Sequence, residues 1–130
     1  MKSIVLCGSM KVKEKMIETA KKLELMGYNA ILPIECMQGL EKSIASRAHF
    51  DRIANKDNEI VLVVNETKNG IDNYIGPNSF AEIAFGFYFK KRVYLLNDIF
   101  PAYKDELIGW NVIPLNGNLD NIKLEEKAQK

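Results

Sequence analysis

Short apolar runs alternate along the chain with segments in which apolar and polar positions follow helical spacing. The apolar runs are rich in β-branched residues and predict five strands, at residues 3–7, 28–33, 59–64, 92–96 and 110–114. The segments between them predict helices at 12–26, 43–56 and 79–90, with a short helix at 103–108. The pattern therefore predicts alternating strands and helices.

Repeated strand–helix alternation is typical of a parallel sheet with helices on both faces. We expect an α/β three-layer sandwich of flavodoxin- or Rossmann-like type, with a parallel five-stranded sheet in the order 2-1-3-4-5. The run at 59–64 is apolar on both faces and should be central. In such a sheet ligands bind beyond the carboxyl ends of the strands, here where strands 1 and 3 are neighbours.

The length and composition favour one domain. Residues 1–115 form the predicted α/β domain, and residues 116–130 are expected to be a C-terminal surface helix or a frayed tail. With 18 basic and 17 acidic residues the net charge is +1, and no apolar run approaches the length of a membrane span. We therefore expect a protein that binds neither nucleic-acid polymers nor membranes, and its two cysteines, Cys7 and Cys36, favour the reducing cytoplasm as its location.

The residues that commonly hold metals and cofactors are sparse. Cys7 and Cys36 form no CxxC motif, and His49 is the only histidine, so the sequence predicts no metal site. The turn after the first strand is neither a GxGxxG nor a P-loop motif and lacks the Ser/Thr-rich run of flavin sites. No cofactor is expected.

The stretch 69–86 carries the main candidate chemistry. A loop rich in Gly, Pro and Asn follows the third strand and turns into an apolar helix whose one carboxylate is Glu82. Glu82 is three residues after Ser79, so one interpretation is a capping box at the start of the helix. The other is that Glu82 faces the crevice as a nucleophile or acid/base group.

Two further features lie near the predicted crevice. Gly8, Ser9 and Met10 form a turn after the first strand, where backbone N–H groups at a helix start can hold an anion, although a turn that needs glycine explains the same residues. Asp51 lies midway along the second helix and offers a second carboxylate; the alternative is an exposed ion pair with Arg47.

Taken together, these features resemble the nucleoside 2-deoxyribosyltransferase family and its nucleotide N-hydrolase relatives. The resemblance rests on the turn at 7–9, on Asp51, on the strand at 58–64 and on the loop and helix at 76–86, and it covers nearly the whole chain. It implies that Glu82 attacks the anomeric carbon, that Asp51 binds or protonates the base, that Ser79 contacts the sugar or its phosphate, and that Gly8 and Ser9 line the pocket floor.

The loop before Ser79 departs from that family, being longer and lacking its short acidic-glycine form. The substrate-binding residues expected here complete the predicted pocket: Gly8, Ser9, Met10, Tyr74, Gly76, Asn78 and Ser79. Tyr74 is placed to stack on a base or to pack against its own loop. Lys11 and Lys13 would attract a phosphate, or form a solvated helix face.

Two functions remain open from the sequence. The first is an enzyme that cleaves or transfers the N-glycosidic bond of a nucleoside or nucleotide through a glutamate nucleophile. The second is a non-catalytic sensor that binds a nucleotide or an ADP-ribose-like ligand on the same fold. The aromatic-rich helix at 79–90 further predicts a homodimer through that helix.

Overall fold

The computed structural model describes residues 2–34 and 41–128. Its sheet has five parallel strands in the order β2-β1-β3-β4-β5 within this described part of the chain. The strands are β1 (Ser3–Cys7), β2 (Asn29–Ile31), β3 (Ile60–Val63), β4 (Arg92–Leu95) and β5 (Ile113–Pro114). The predicted fold class and strand order are confirmed.

Helices cover both faces of the sheet. They are α1 (Lys13–Leu25), α2 (Lys42–Ala54), α3 (Pro77–Tyr88), α4 (Lys104–Gly109) and α5 (Asn121–Ala128), with 3₁₀ turns at Met10–Val12 and Pro101–Tyr103. Alternate residues of β1 enter opposite cores: Ile4 and Leu6 pack with α1 and α5, whereas Val5 and Cys7 pack with α2, α3 and α4. The period-two geometry of a strand thus divides the helices into two layers.

The direction in which successive strands are added to the sheet changes between β1 and β3. These strands pair in register from Ile4 with Ile60 to Cys7 with Val63, and β1 pairs with β2 on its other side. The chain leaves β1 and β3 toward opposite faces of the sheet, which opens a crevice beyond their carboxyl ends. Cys7 therefore ends its strand beside that crevice.

The start of α3 differs from the sequence prediction. The helix begins at Pro77, with Gly76 in extended conformation as its N-cap, so Ser79 is its third residue and is buried. Proline is well suited to the first helical position because its φ is already near the helical value and its missing N–H has no helical partner there. The capping-box interpretation is wrong, since Ser79 is not the cap and Glu82 lies in the second turn.

The other boundaries agree within a few residues, with one larger difference. The predicted strand at 110–114 is reduced to Ile113–Pro114, because Trp110 caps α4 and Asn111 turns with a φ of 58°. Most of the predicted loop at 34–42 lies outside the described residues. No helix among the described residues is long and apolar enough to cross a membrane.

Helix α5 packs on the same face of the sheet as α1. Ile122 of α5 is fully buried in the same core as α1. Glu126 accepts hydrogen bonds from Lys2 Nζ and from the Tyr28 hydroxyl, both at 2.6 Å. After turns within 116–120, α5 is thus held by these two bonds to the residues just before β1 and β2.

Candidate active site

A cavity of about 330 Å³ lies beyond the carboxyl ends of β1 and β3. Its walls come from the turn after β1, the start of α2, the loop before α3 and the first turns of α3. The cavity is lined by Glu82 and by the seven residues expected to bind substrate: Gly8, Ser9, Met10, Tyr74, Gly76, Asn78 and Ser79. The structure thus brings eight of the nine expected site residues around one opening.

Glu82 reaches this cavity because of the way α3 packs. Ser79, Ile83 and Gly86 are the buried residues of the helix and define the stripe that faces the sheet. Glu82 lies on the same side, one turn nearer the N-terminus than Gly86, where the stripe passes beyond the strand ends. Its side chain is 14% exposed, so the carboxylate is largely removed from water while still bordering the cavity.

Behind Glu82 lie a thiol and an imidazole. His49 Nε2 is 3.8 Å from Glu82 Oε2, 3.5 Å from Cys7 Sγ and 2.9 Å from the carbonyl oxygen of Leu6. A carbonyl oxygen only accepts, so the 2.9 Å contact places a proton on Nε2 that His49 donates to Leu6. His49 Nδ1 is buried and has no hydrogen-bond partner among the described residues.

Both neighbours of Glu82 are uncharged at neutral pH. Burial, together with the charge of Glu82 and a hydrogen bond to it, raises the pKa of the Cys7 thiol. Burial is the main cause that lowers the pKa of His49 to about 4; the hydrogen bond to Leu6 opposes this shift, and the positive charge of Arg52 adds to it. Glu82 therefore sits against a neutral imidazole and a protonated thiol.

Asp51 does not join this group. It is exposed on the outer face of α2, beside a shallow surface that it shares with Ser43 and Arg47. The inward face of α2 is marked by its buried residues Ala45, His49 and Ile53, which recur every four positions. Asp51 follows His49 by two residues, or about 200° around the helix, and so points the other way.

The sequence prediction missed His49 as a site residue and placed no histidine near either cysteine. The sequence feature that could have identified His49 is the four-residue spacing of Ala45, His49 and Ile53, which places them on one face of the helix. The contact itself joins residues 42 positions apart in sequence. It depends on α2 lying across β1, which periodicity alone does not specify.

Three lysines border the cavity: Lys11, Lys42 and Lys68. Lys68 Nζ lies 4.9 Å from the centre of the Tyr74 ring, and that ring also packs edge-on against Phe100. Lys13, the other lysine considered from the sequence, borders a separate surface depression. The cavity mouth is therefore cationic, with hydroxyl groups from Ser9, Ser46 and Ser79 in its wall.

Close backbone approaches shape the floor and rim of the cavity. A Cβ on Gly8 would lie 3.0 Å from Met16 Sδ and 3.3 Å from the carbonyl oxygen of Val64, so a side chain there requires a neighbour to move. Asn65, fully buried after β3, donates to the carbonyl of Asp98 and accepts from the Asn97 amide. These bonds hold the start of the 65–78 loop against the end of β4.

A second cavity of about 330 Å³ lies between α1 and the segment that follows β4. Its walls include Thr19, Met26, Asn97 and Asp120. It contains neither Glu82 nor any of the other expected site residues. The arrangement of a carboxylate, flanking cations and hydroxyl groups belongs to the cavity at β1 and β3.

A comparison with solved structures found a protein of similar fold. No protein-family model matches the chain, and no curated protein matches its sequence. Among solved structures, that of the Clostridium botulinum CMP N-glycosidase BcmB superposes with a TM-score of 0.63 over 99% of this chain and 100% of that one, at 16% sequence identity. This likeness establishes the shared fold and its extent.

Proposed function

We propose that this protein cleaves the N-glycosidic bond of a nucleoside 5′-monophosphate, with Glu82 as the nucleophile. The observation that carries the proposal is the Glu82 carboxylate, 14% exposed and bordering a cavity at the switch point of the sheet. The fold shared with a CMP N-glycosidase supports the reaction class.

The reaction follows the logic of retaining glycosidases. A Glu82 oxygen attacks C1′ of the sugar while the C1′–N bond breaks, and the base leaves with the bonding electron pair and takes up a proton. Water then attacks C1′ of the glycosyl-enzyme ester, which frees the sugar phosphate and restores the Glu82 carboxylate. If a second base attacks in place of water, the product is a new nucleotide, and the enzyme is then a transferase.

The proton donor lies on the cavity side. His49 is buried behind Glu82, is neutral at pH 7 and directs its Nε2 proton to Leu6, so it is not placed to protonate the leaving base. Besides the serine hydroxyls, Tyr74 and the three lysines carry acidic protons among the described residues that line the cavity. We assign the leaving-group proton to one of these or to solvent.

The charges at the cavity mouth favour a phosphorylated sugar. Lys11, Lys42 and Lys68 supply three cations around one opening, and Ser9, Ser46 and Ser79 supply hydroxyl donors. A nucleoside without phosphate would use none of these charges, whereas a phosphate accepts charge-assisted hydrogen bonds from lysine. We expect nucleotides to be better substrates than nucleosides, with a preference that weakens as salt is added.

The test is release of free base from a panel of nucleosides and 5′-nucleotides, measured by chromatography. Glu82→Gln should lower the rate by at least about 1,000-fold while ligand binding is kept, and intact mass should show a glycosyl adduct on the wild type alone. Asp51→Asn is the matched control and should retain activity, because Asp51 is exposed and outside the cavity.

Two results would overturn parts of this proposal. Binding of nucleotides without base release from any member of the panel would favour the sensor function over the enzyme. Loss of activity in Asp51→Asn with an intact fold would return the acid/base role to Asp51, as the family resemblance implies.

We also propose a homodimer through α3. Phe87, Tyr88 and Phe89 at the end of this helix are 44%, 77% and 40% exposed, whereas Phe80 and Phe85 are partly buried against other aromatic rings. Adjacent exposed aromatics are typical of protein–protein contacts. Sedimentation should give a dimer that Tyr88→Glu dissociates; a wild-type monomer at micromolar concentration would refute this.

A further inference from the structure

Three side chains, one each from β1, α2 and α3, meet at the inner end of the cavity. Each has an atom that can bind a metal ion, and these atoms lie close together. Cys7 Sγ is 3.5 Å from His49 Nε2, which is 3.8 Å from Glu82 Oε2, and ligand atoms of all three residues lie within 4.8 Å of one another. Thiolate, imidazole and carboxylate are the three ligand types that zinc takes from proteins. We propose that this cluster binds one zinc ion.

Two of the three ligand–ligand separations are close to those of tetrahedral coordination, and the third, between Cys7 and Glu82, is at most 4.8 Å. Bonds of about 2.3 Å to sulfur and about 2.0–2.2 Å to nitrogen and oxygen place neighbouring ligands roughly 3.4–3.6 Å apart at the tetrahedral angle. The Cys7–His49 separation already has this value, and the His49–Glu82 separation exceeds it by a few tenths of an ångström. A small rotation of the Glu82 side chain closes that difference.

The charges also balance. A thiolate and a carboxylate neutralise a divalent cation, and the neutral imidazole adds a third ligand without adding charge. Cys7 and His49 are buried, so an unbalanced ion would be costly there. Binding releases the thiol proton, and Nε2 gives up its proton as Nδ1, unpaired among the described residues, takes one.

The Leu6 carbonyl marks where the ion would lie. Its oxygen is 2.9 Å from His49 Nε2, and in the metal-free protein it accepts the Nε2 proton. A zinc ion about 2.0 Å from Nε2 on that side of the ring would crowd this oxygen, so binding beside Cys7 and Glu82 requires the Leu6 carbonyl to shift, either clear of the ion or into place as a fourth ligand. Because Glu82 alone of the three ligands lines the cavity, the ion enters and leaves from the cavity side.

The site has a regulatory consequence that rests on the proposed glycosidase function. A Glu82 carboxylate that coordinates zinc has its nucleophilic oxygen engaged, so metal binding and catalysis exclude each other. Zinc should therefore inhibit base release, and a chelator should restore it. Zinc bound at this cluster would thus regulate the enzyme by making the Glu82 carboxylate unavailable for catalysis.

Binding is tested without any substrate, by titrating Co²⁺ into chelator-treated protein and following the thiolate-to-cobalt charge-transfer absorption. One ion should bind per chain, and zinc should displace it. Glu82→Gln and Cys7→Ser should weaken binding at least about 10-fold, and Cys7→Ser should also abolish the charge-transfer band. Cys36→Ser and Asp51→Asn are matched controls and should bind as the wild type does.

The outcomes separate this proposal from the proposed function. If cobalt binds through Cys7 and Glu82 while no nucleotide is cleaved, the metal site stands and the glycosidase falls. If the band is absent, survives Cys7→Ser or disappears in Cys36→Ser, the metal site is refuted whatever the enzyme assay shows. Circular dichroism of each variant confirms that a lost band does not reflect unfolding.

Discussion

Gly86 sets how closely α3 approaches the sheet, and substituting it tests that packing directly. A Cβ at this position would lie 3.2 Å from Val93 Cγ2, 3.5 Å from Val61 Cγ2 and 3.9 Å from Ile53 Cγ2. Optimal carbon–carbon separations are about 3.5–4.0 Å, so a single methyl already crowds Val93. These neighbours are β-branched residues with stiff χ1 angles, and two of them are in the sheet.

Gly86→Val adds two further methyl groups beyond a Cβ that is already crowded. Overpacking of this kind costs about 1–3 kcal/mol, and the better helix propensity of valine returns only a few tenths. We expect a net loss of about 2 kcal/mol in the free energy of unfolding. For a chain of this size the melting temperature should fall by roughly 8 °C.

Gly109→Val is the matched control. Gly109 ends α4, is exposed and has no neighbour within 4 Å of an added Cβ, so the same substitution should change stability by less than about 0.5 kcal/mol. Urea unfolding followed by circular dichroism measures both variants. Equal effects at the two glycines would refute the claim that α3 is held close to the sheet by the absence of a side chain at Gly86.

Two smaller predictions concern the partly buried Glu126 and the buried Cys7. Burial alone would raise the pKa of Glu126, but hydrogen bonds from Lys2 and Tyr28 outweigh it and hold the pKa below 4.5. This stabilisation is therefore present above about pH 4.5 and is lost as the pH falls through the folded-state pKa. Glu126→Gln should lower the free energy of unfolding by about 1 kcal/mol near pH 7 and by less near pH 3, as measured by urea titration. In a Cys36→Ser background, Cys7 should react with a thiol reagent far more slowly in native than in unfolded protein, because it is fully buried and its pKa is raised; equal rates would contradict that burial.

The α3 region shows where sequence reasoning was sufficient and where it was not. An apolar helix carrying one carboxylate after a Gly-rich loop was enough to single out Glu82, because parallel sheets place such loops at the strand ends. The start of that helix was misplaced, since Ser79 offered a plausible cap while Pro77 and Gly76 provided the actual one. Cap choice depends on local backbone geometry that several nearby residues can satisfy.

What the sequence determined by itself was the order of strands and helices, the parallel sheet, and the loops that border the cavity. These follow from local periodicity and from the handedness of strand–helix–strand connections. Tertiary structure alone decided which side of α2 faces the sheet, and so placed His49 beside Cys7 and Glu82 while Asp51 faces solvent. Rotating a helix by half a turn leaves its composition unchanged, and only packing against the rest of the fold selects one orientation.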